Sequence, residues 1–205
     1  MTDDATRGPD PAAMLAVAEE QQARALRLLE PDGAVIYGAW GVAWLVGPGL
    51  MWLSRAHDVL PIGVAGAVFA ALLLGAGAVT AVHVGRRTQG VQGVSQQTGA
   101  LHGWSWFLGF ATLTAIMAAT ARAGASDDLL ALLWTALSCL VVGVLYMAAG
   151  ALWRDLVQYS IGVWILVIGA AGALAGVPTN QLLMSLAGGG VFLGAAALSR
   201  LRRRA

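Results

Sequence analysis

The chain has 205 residues, 58% of them hydrophobic and only 11% charged, with mean hydropathy +0.72 and a formal net charge of +1. Soluble domains carry about 25% charged residues, so this composition excludes a water-soluble globular protein and places the chain in a lipid bilayer. The near-neutral balance says little about partners, no nucleic-acid partner is expected, and the single cysteine, Cys139, excludes a disulfide framework or a thiolate metal cluster within one chain.

Residues 1 to 10 lack the basic segment and apolar core of a cleavable signal peptide. Asp10 before Pro11 is a helix-start signal, and Leu15, Ala18, Ala25, Leu26 and Leu29 recur at helical spacing, so a short amphipathic helix is expected over 11 to 30. Its polar face is largely acidic, which favours a solvated helix leading into the membrane over one lying on lipid. Pro31-Asp32-Gly33 ends it.

Ala34 to Leu53, AVIYGAWGVAWLVGPGLMWL, then runs without charge for the length that crosses about 30 Å of hydrocarbon. Further apolar runs cover 59–84, 103–121, 129–152, 156–176 and 182–199. The fold class expected is therefore all-α, a polytopic bundle of six transmembrane helices spanning 33–199, after a lead of 1–32 and before a basic tail of 200–205. The short connection 54–58 makes the first two spans antiparallel neighbours. Residues 85–101, rich in Gly and Gln, are expected to form the longest loop. Arg154-Asp155 marks a sharp corner, and 177–181 a turn around Pro178.

With six spans, ten Arg fall on the side of the termini and two, Arg55 and Arg122, on the other. The positive-inside rule then predicts a multi-pass protein of the bacterial inner membrane with both termini cytoplasmic. The RLRRR tail reads as a topology anchor. Small residues recur at four-residue steps: Ala111, Ala115, Ala119 and Ala123; Gly172 and Gly176; Gly190 and Gly194. Such faces let backbones approach closely, and packing within the chain is the expected use, although a homo-oligomer would use the same pattern.

None of the eleven carboxylates lies inside a span, which argues against a carboxylate-based proton pump. Tyr37, Trp40 and Trp44 share one face of the first span, and Trp44, about 15 Å deep, needs an acceptor for its indole N–H inside the bundle, as does Trp164. Tyr37, Trp40, Trp44, Tyr159 and Trp164 are the candidate lining of a pocket for an apolar or cationic small molecule. Ordinary helix packing is the competing reading. Trp52, Trp104, Trp106 and Trp153 fall near span ends and are assigned to an interfacial belt. Gly47, Pro48 and Gly49 predict a helix kink of the kind transporters use, but no counterpart is visible in the other half of the chain. His83 and His102 lack the further ligands a metal site requires. No catalytic residues, metal or cofactor are expected.

The string EExxxR at Glu19, Glu20 and Arg24 resembles the first motif of intramembrane CAAX-type proteases. The later histidine motifs of that family are missing, so an i,i+4 pair on the leading helix accounts for it. YGAWGVAWLVG at 37–47, LWRDLVQYSIGVW at 152–164 and AGGGVFL at 187–193 resemble a group of small six-helix membrane proteins of GC-rich actinobacteria, labelled "membrane protein" or "transporter". The exclusive use of Arg over Lys fits such a genome. The resemblance brings no ligand residues. Two functions are weighed: a small-molecule permease or permease-like subunit, and a non-transporting protein that engages a cytoplasmic partner through 11–30 or 85–101. An interior cavity open to one side would favour the first, and a solid bundle with an ordered leading helix the second.

Overall fold

A computed structural model describes residues 12, 14–21, 32–87 and 94–204. Helices α1 (Gly33–His57), α2 (Ile62–Arg87), α3 (Val94–Arg122), α4 (Asp127–Trp153) and α5 (Leu156–Ala175) are followed by α6 (Thr179–Leu183), a π-helical segment (Met184–Gly188) and α7 (Gly189–Arg204). The last three run on as one span, so six segments are long and apolar enough to cross a membrane. The protein is an all-α, multi-pass membrane protein. Residues 14–21 of the expected leading helix are helical and exposed, and 22–31 lie outside the described residues.

The helix ends follow local chemistry. Asp32 caps α1 by accepting from the Ala34 N–H at 3.0 Å, and Ser126 caps α4. Arg154 closes α4 in a left-handed conformation (φ 56°), while Asp155 opens α5 by accepting from the N–H groups of Val157 and Gln158. The Arg154-Asp155 corner is thus a C-cap and an N-cap placed back to back. The expected 85–101 loop is mostly helix. α2 continues to Arg87 and α3 starts at Val94, so only 88–93 remain as a connection, and they lie outside the described residues. Gln is a good helix former, and an isolated Gly costs only about 1 kcal/mol, too little to stop a helix of this length.

Packing runs in a row. α3 lies against α4, α4 against α5, α5 against α6, and α1 against the whole last span and against α2. α2 and α3 are therefore peripheral, and α2 buries only Ala65 and Ala76. Among the described residues, the small-residue faces named from sequence largely point outward: Ala111, Ala115, Ala119 and Ala123 are exposed, and nothing stands within 4 Å of a Cβ built on Gly190 or Gly194. The close contacts use other glycines. On α4, Gly143 meets Gly162 and Gly150 meets Tyr159; on α5, Gly169 meets Cys139; the glycines step by seven residues on each helix, and a Cβ on Gly162 would lie 2.7 Å from the Gly143 carbonyl oxygen. Lipid gives two apolar helices no hydrophobic reason to associate, so this backbone proximity, with its dispersion and Cα–H contacts, holds the hairpin together.

The same logic brings α1 to α7, where a Cβ on Gly189 would lie 2.7 Å from the backbone of Leu45. We therefore expect Gly189→Ala to lose about 1–3 kcal/mol of unfolding free energy in detergent. Gly190→Ala, in open space, is expected to be neutral or to gain up to about 1 kcal/mol from helix propensity. Equal effects of the two substitutions on thermal unfolding would contradict this packing.

Candidate functional site

The interior between α1, α4 and α7 is built from rings. Phe192 on α7 is the centre, with Tyr37 at 6.3 Å, Trp44 at 5.9 Å and Tyr146 at 5.8 Å between centroids. Trp106 extends the cluster from α3 by meeting Tyr146 edge-on at 5.9 Å and stacking with Phe110. Each such ring pair adds about 0.5–1.5 kcal/mol beyond area burial.

The five residues named as a pocket lining divide. Tyr37 and Trp44 meet at Phe192, and Trp40 packs beside them with its indole N–H donating to the Thr80 hydroxyl at 3.0 Å. Tyr159 and Trp164 face outward, 38% and 43% exposed. Trp164 does find its acceptor, the Ala187 carbonyl at 3.1 Å, whereas Trp44 is held by ring contacts with Phe192 and by Gly188 beneath its ring. Trp106 is no belt residue: it is half-buried against the core, and its N–H donates to His102 Nε2 at 2.9 Å. The other histidine flanking the 85–101 segment is also occupied, since His83 Nε2 accepts from the Asp32 backbone N–H at 2.9 Å. Among the described residues no group of three His, Cys, Asp or Glu could hold a metal ion.

The kink expected at Gly47-Pro48-Gly49 has the counterpart that sequence did not show. Pro48 has no N–H to give the Trp44 carbonyl, and its ring crowds the preceding turn. Directly opposite lies the π-helical segment, whose wider turn also displaces the regular i→i+4 bonds. Side chains meet the carbonyls at this crossing. The Ser185 hydroxyl donates to the Leu45 carbonyl at 2.6 Å, and Trp164 serves Ala187 within the π segment. Glycines admit the contact: Gly41 against Leu193, Gly189 against Leu45, Gly49 against Ser185, and Gly188 under the Trp44 ring. Gly47 takes the Phe69 ring from α2. Met184 is fully buried, 3.3 Å from the Cys139 sulfur, which ties the π segment to α4.

Two concavities open on the outer surface. One, of about 200 Å³, lies between α4 and α5 over Cys139, Leu140, Leu166 and Gly169; the other, of about 360 Å³, lies along α3 at Gly103, Trp104 and Phe107. Both are apolar and belong to the lipid-facing surface of this bundle. No protein family matches the chain, and no curated protein or solved structure is detectably similar to it.

Sequence reasoning missed Phe192, Ser185 and the buried amides of Asn180 and Gln181. The Gly188-Gly189-Gly190 run was the available trace of the first two, because only a chain without side chains there lets α1 come so near.

Replacing Trp164 with Phe keeps the ring and strands the Ala187 carbonyl, and Ser185→Ala does the same to Leu45. Each is expected to lose about 1 kcal/mol, the usual range for such bonds in membranes. Trp134, equally exposed at 43%, serves as control, and its Phe variant is expected to unfold as the wild type does. Three indistinguishable unfolding curves would show that these donors contribute nothing.

Proposed function

We propose that this membrane protein is a small-molecule permease or permease-like subunit whose moving part is the crossing of α1 with the last span. The observation that carries the reading is the pair of facing helix breaks, Pro48 on α1 and Met184–Gly188 opposite. Transporters place their sites where two discontinuous helices from different parts of the chain meet near the middle of the bilayer. Here the side chains of Ser185 and Trp164 donate to backbone carbonyls beside the breaks, and these bonds can be exchanged without unwinding a helix. The reading gives the chain no catalytic role.

Arginine placement supports an orientation with both termini in the cytoplasm of a bacterial cell. Asp32, His83 and Ser199 share one end of the bundle through the Asp32–His83 bond and the Gly33–Ser199 contact. Arg86, Arg87, Arg154, Arg200 and Arg202 belong to that end by alternation of the spans, while Arg55, paired with Asp128 at 2.9 Å, and Arg122 belong to the other.

The ring-filled interior favours a second reading, a non-transporting protein that engages a cytoplasmic partner, with exposed helix 14–21 as one contact. Thiol accessibility separates the two without knowing a substrate. In a Cys139→Ala background, Ser185→Cys is probed with a membrane-impermeant thiol reagent from each face of oriented vesicles, with Ala170→Cys as the lipid-facing control. A permease is expected to expose Ser185→Cys to both faces, while Ala170→Cys stays unreactive. Protection of Ser185→Cys from both faces would remove permeation through the crossing and leave the second reading.

A further inference from the structure

The last span begins with two side-chain amides that the fold buries and leaves unpaired. Asn180 is 1% exposed and Gln181 3%, and among the described residues both polar atoms of Asn180 and the carbonyl oxygen of Gln181 have no hydrogen-bond partner. A buried amide atom without a partner carries its full desolvation penalty, so such groups in a native core call for an occupant. Ser185, one turn further along, shows the contrast: it is as buried, at 4%, and its hydroxyl has a partner.

The register of the crossing locates the amides. Gly41 meets Leu193, Leu45 meets Gly189 and Gly49 meets Ser185, four residues at a time on both helices. Gln181 lies one further turn along the last span, in the segment that also packs against α1. Asn180 faces α5, where a Cβ on Gly172 would stand 3.5 Å from its own. The two amides therefore sit at the junction of α1, α5 and α6, one turn from the paired helix breaks and at the end of the bundle that carries Arg55 and Asp128. That ion pair neutralises itself, and the Arg55 Nε is a further buried donor without a partner.

The chemistry of the unpaired atoms selects a ligand class. A cation would suit the two carbonyl oxygens and be opposed by the Asn180 NH₂ group. An anion would be opposed by the carbonyls, and either charge would lie in a low-dielectric junction without a free counter-charge among these residues. A neutral molecule that both donates and accepts satisfies all of them. We propose that Asn180 and Gln181 form the binding site of a small uncharged solute carrying a hydrogen-bond donor and an acceptor, of the amide or polyol type. As a substrate assignment this rests on the permease reading; as a binding site it does not. It differs from the apolar or cationic ligand expected among the aromatic residues, of which Tyr37 and Trp44 pack on Phe192 while Tyr159 and Trp164 face outward.

The test is the unfolding temperature of the detergent-solubilised full chain, for wild type, Asn180→Leu and Gln181→Met. Acetamide and glycerol are the neutral probes, and tetraethylammonium chloride and sodium acetate the charged ones. Binding to the native state raises the unfolding temperature saturably. Acetamide otherwise solvates peptide groups and lowers it, so a rise with acetamide is specific. The expected result is a saturable rise with at least one neutral probe in wild type, absent in Asn180→Leu and weakened in Gln181→Met, with charged probes acting alike on all three. Parallel behaviour of the three proteins with every probe would overturn the site, leaving only water against the amides. A rise confined to a charged probe and lost in Asn180→Leu would overturn the ligand class. If Asn180→Leu does not fold, the difference between wild type and Gln181→Met decides. Thiol accessibility reads movement and this assay reads occupancy, so each proposal can fail alone.

Discussion

Hydrocarbon offers a backbone carbonyl no partner, and this constraint governs the centre of the molecule. Pro48 and the π segment both disturb the regular bonding of their helices, and either alone would leave polar atoms facing apolar surroundings. Placed face to face, they are bridged by side chains drawn from two spans: Ser185 reaches from the last span to Leu45, and Trp164 reaches from α5 to Ala187. Trp44, Phe192 and Gly188 then close the space around the crossing. The aromatic cluster is in this sense secondary. It fills the volume that two irregular helices cannot fill with their own backbones.

Close approach is the second requirement, and glycine meets it in two different ways. Between α4 and α5 the glycines repeat every seven residues and fit one regular helix against another. Between α1 and the last span they cluster where the helices are irregular, and Gly189 brings two backbones into direct contact. The first arrangement makes a stiff hairpin. The second makes an interface held by a few hydrogen bonds and by residues without side chains, and it is there that the buried amides of Asn180 and Gln181 remain unpaired.

Much of the architecture was legible because a bilayer imposes length and apolarity on every span. All six spans and the Arg154-Asp155 corner follow from residue type and spacing. The helical nature of 85–101 was hidden by its Gly and Gln content, which resembles a loop but is compatible with a helix that extends beyond the membrane. Outward and inward faces of the spans were not legible, since lipid and protein interior are equally apolar: Trp164 and Phe192 look alike in sequence, yet one faces out and the other is fully buried. The Ala ladder on α3 and the Gly190/Gly194 pair turn outward while Gly172 is buried against Asn180, and in an apolar span nothing about the residue types separates these cases. The π segment left only a triple glycine, and the depth of Asn180 was masked by its nearness to Pro178, which reads as a turn.

The side-by-side pairing of the first and last spans also orders the assembly of the protein. Synthesis delivers α1 with its glycine-lined face, and α2 covers one flank through Phe69 and Thr80. The other flank waits for Leu45 to meet Gly189, more than a hundred residues later. The helix that completes the first span comes after four intervening spans, so α1 keeps an uncovered crease until that helix is made. Closure of that crease waits on the four intervening spans, α2 to α5.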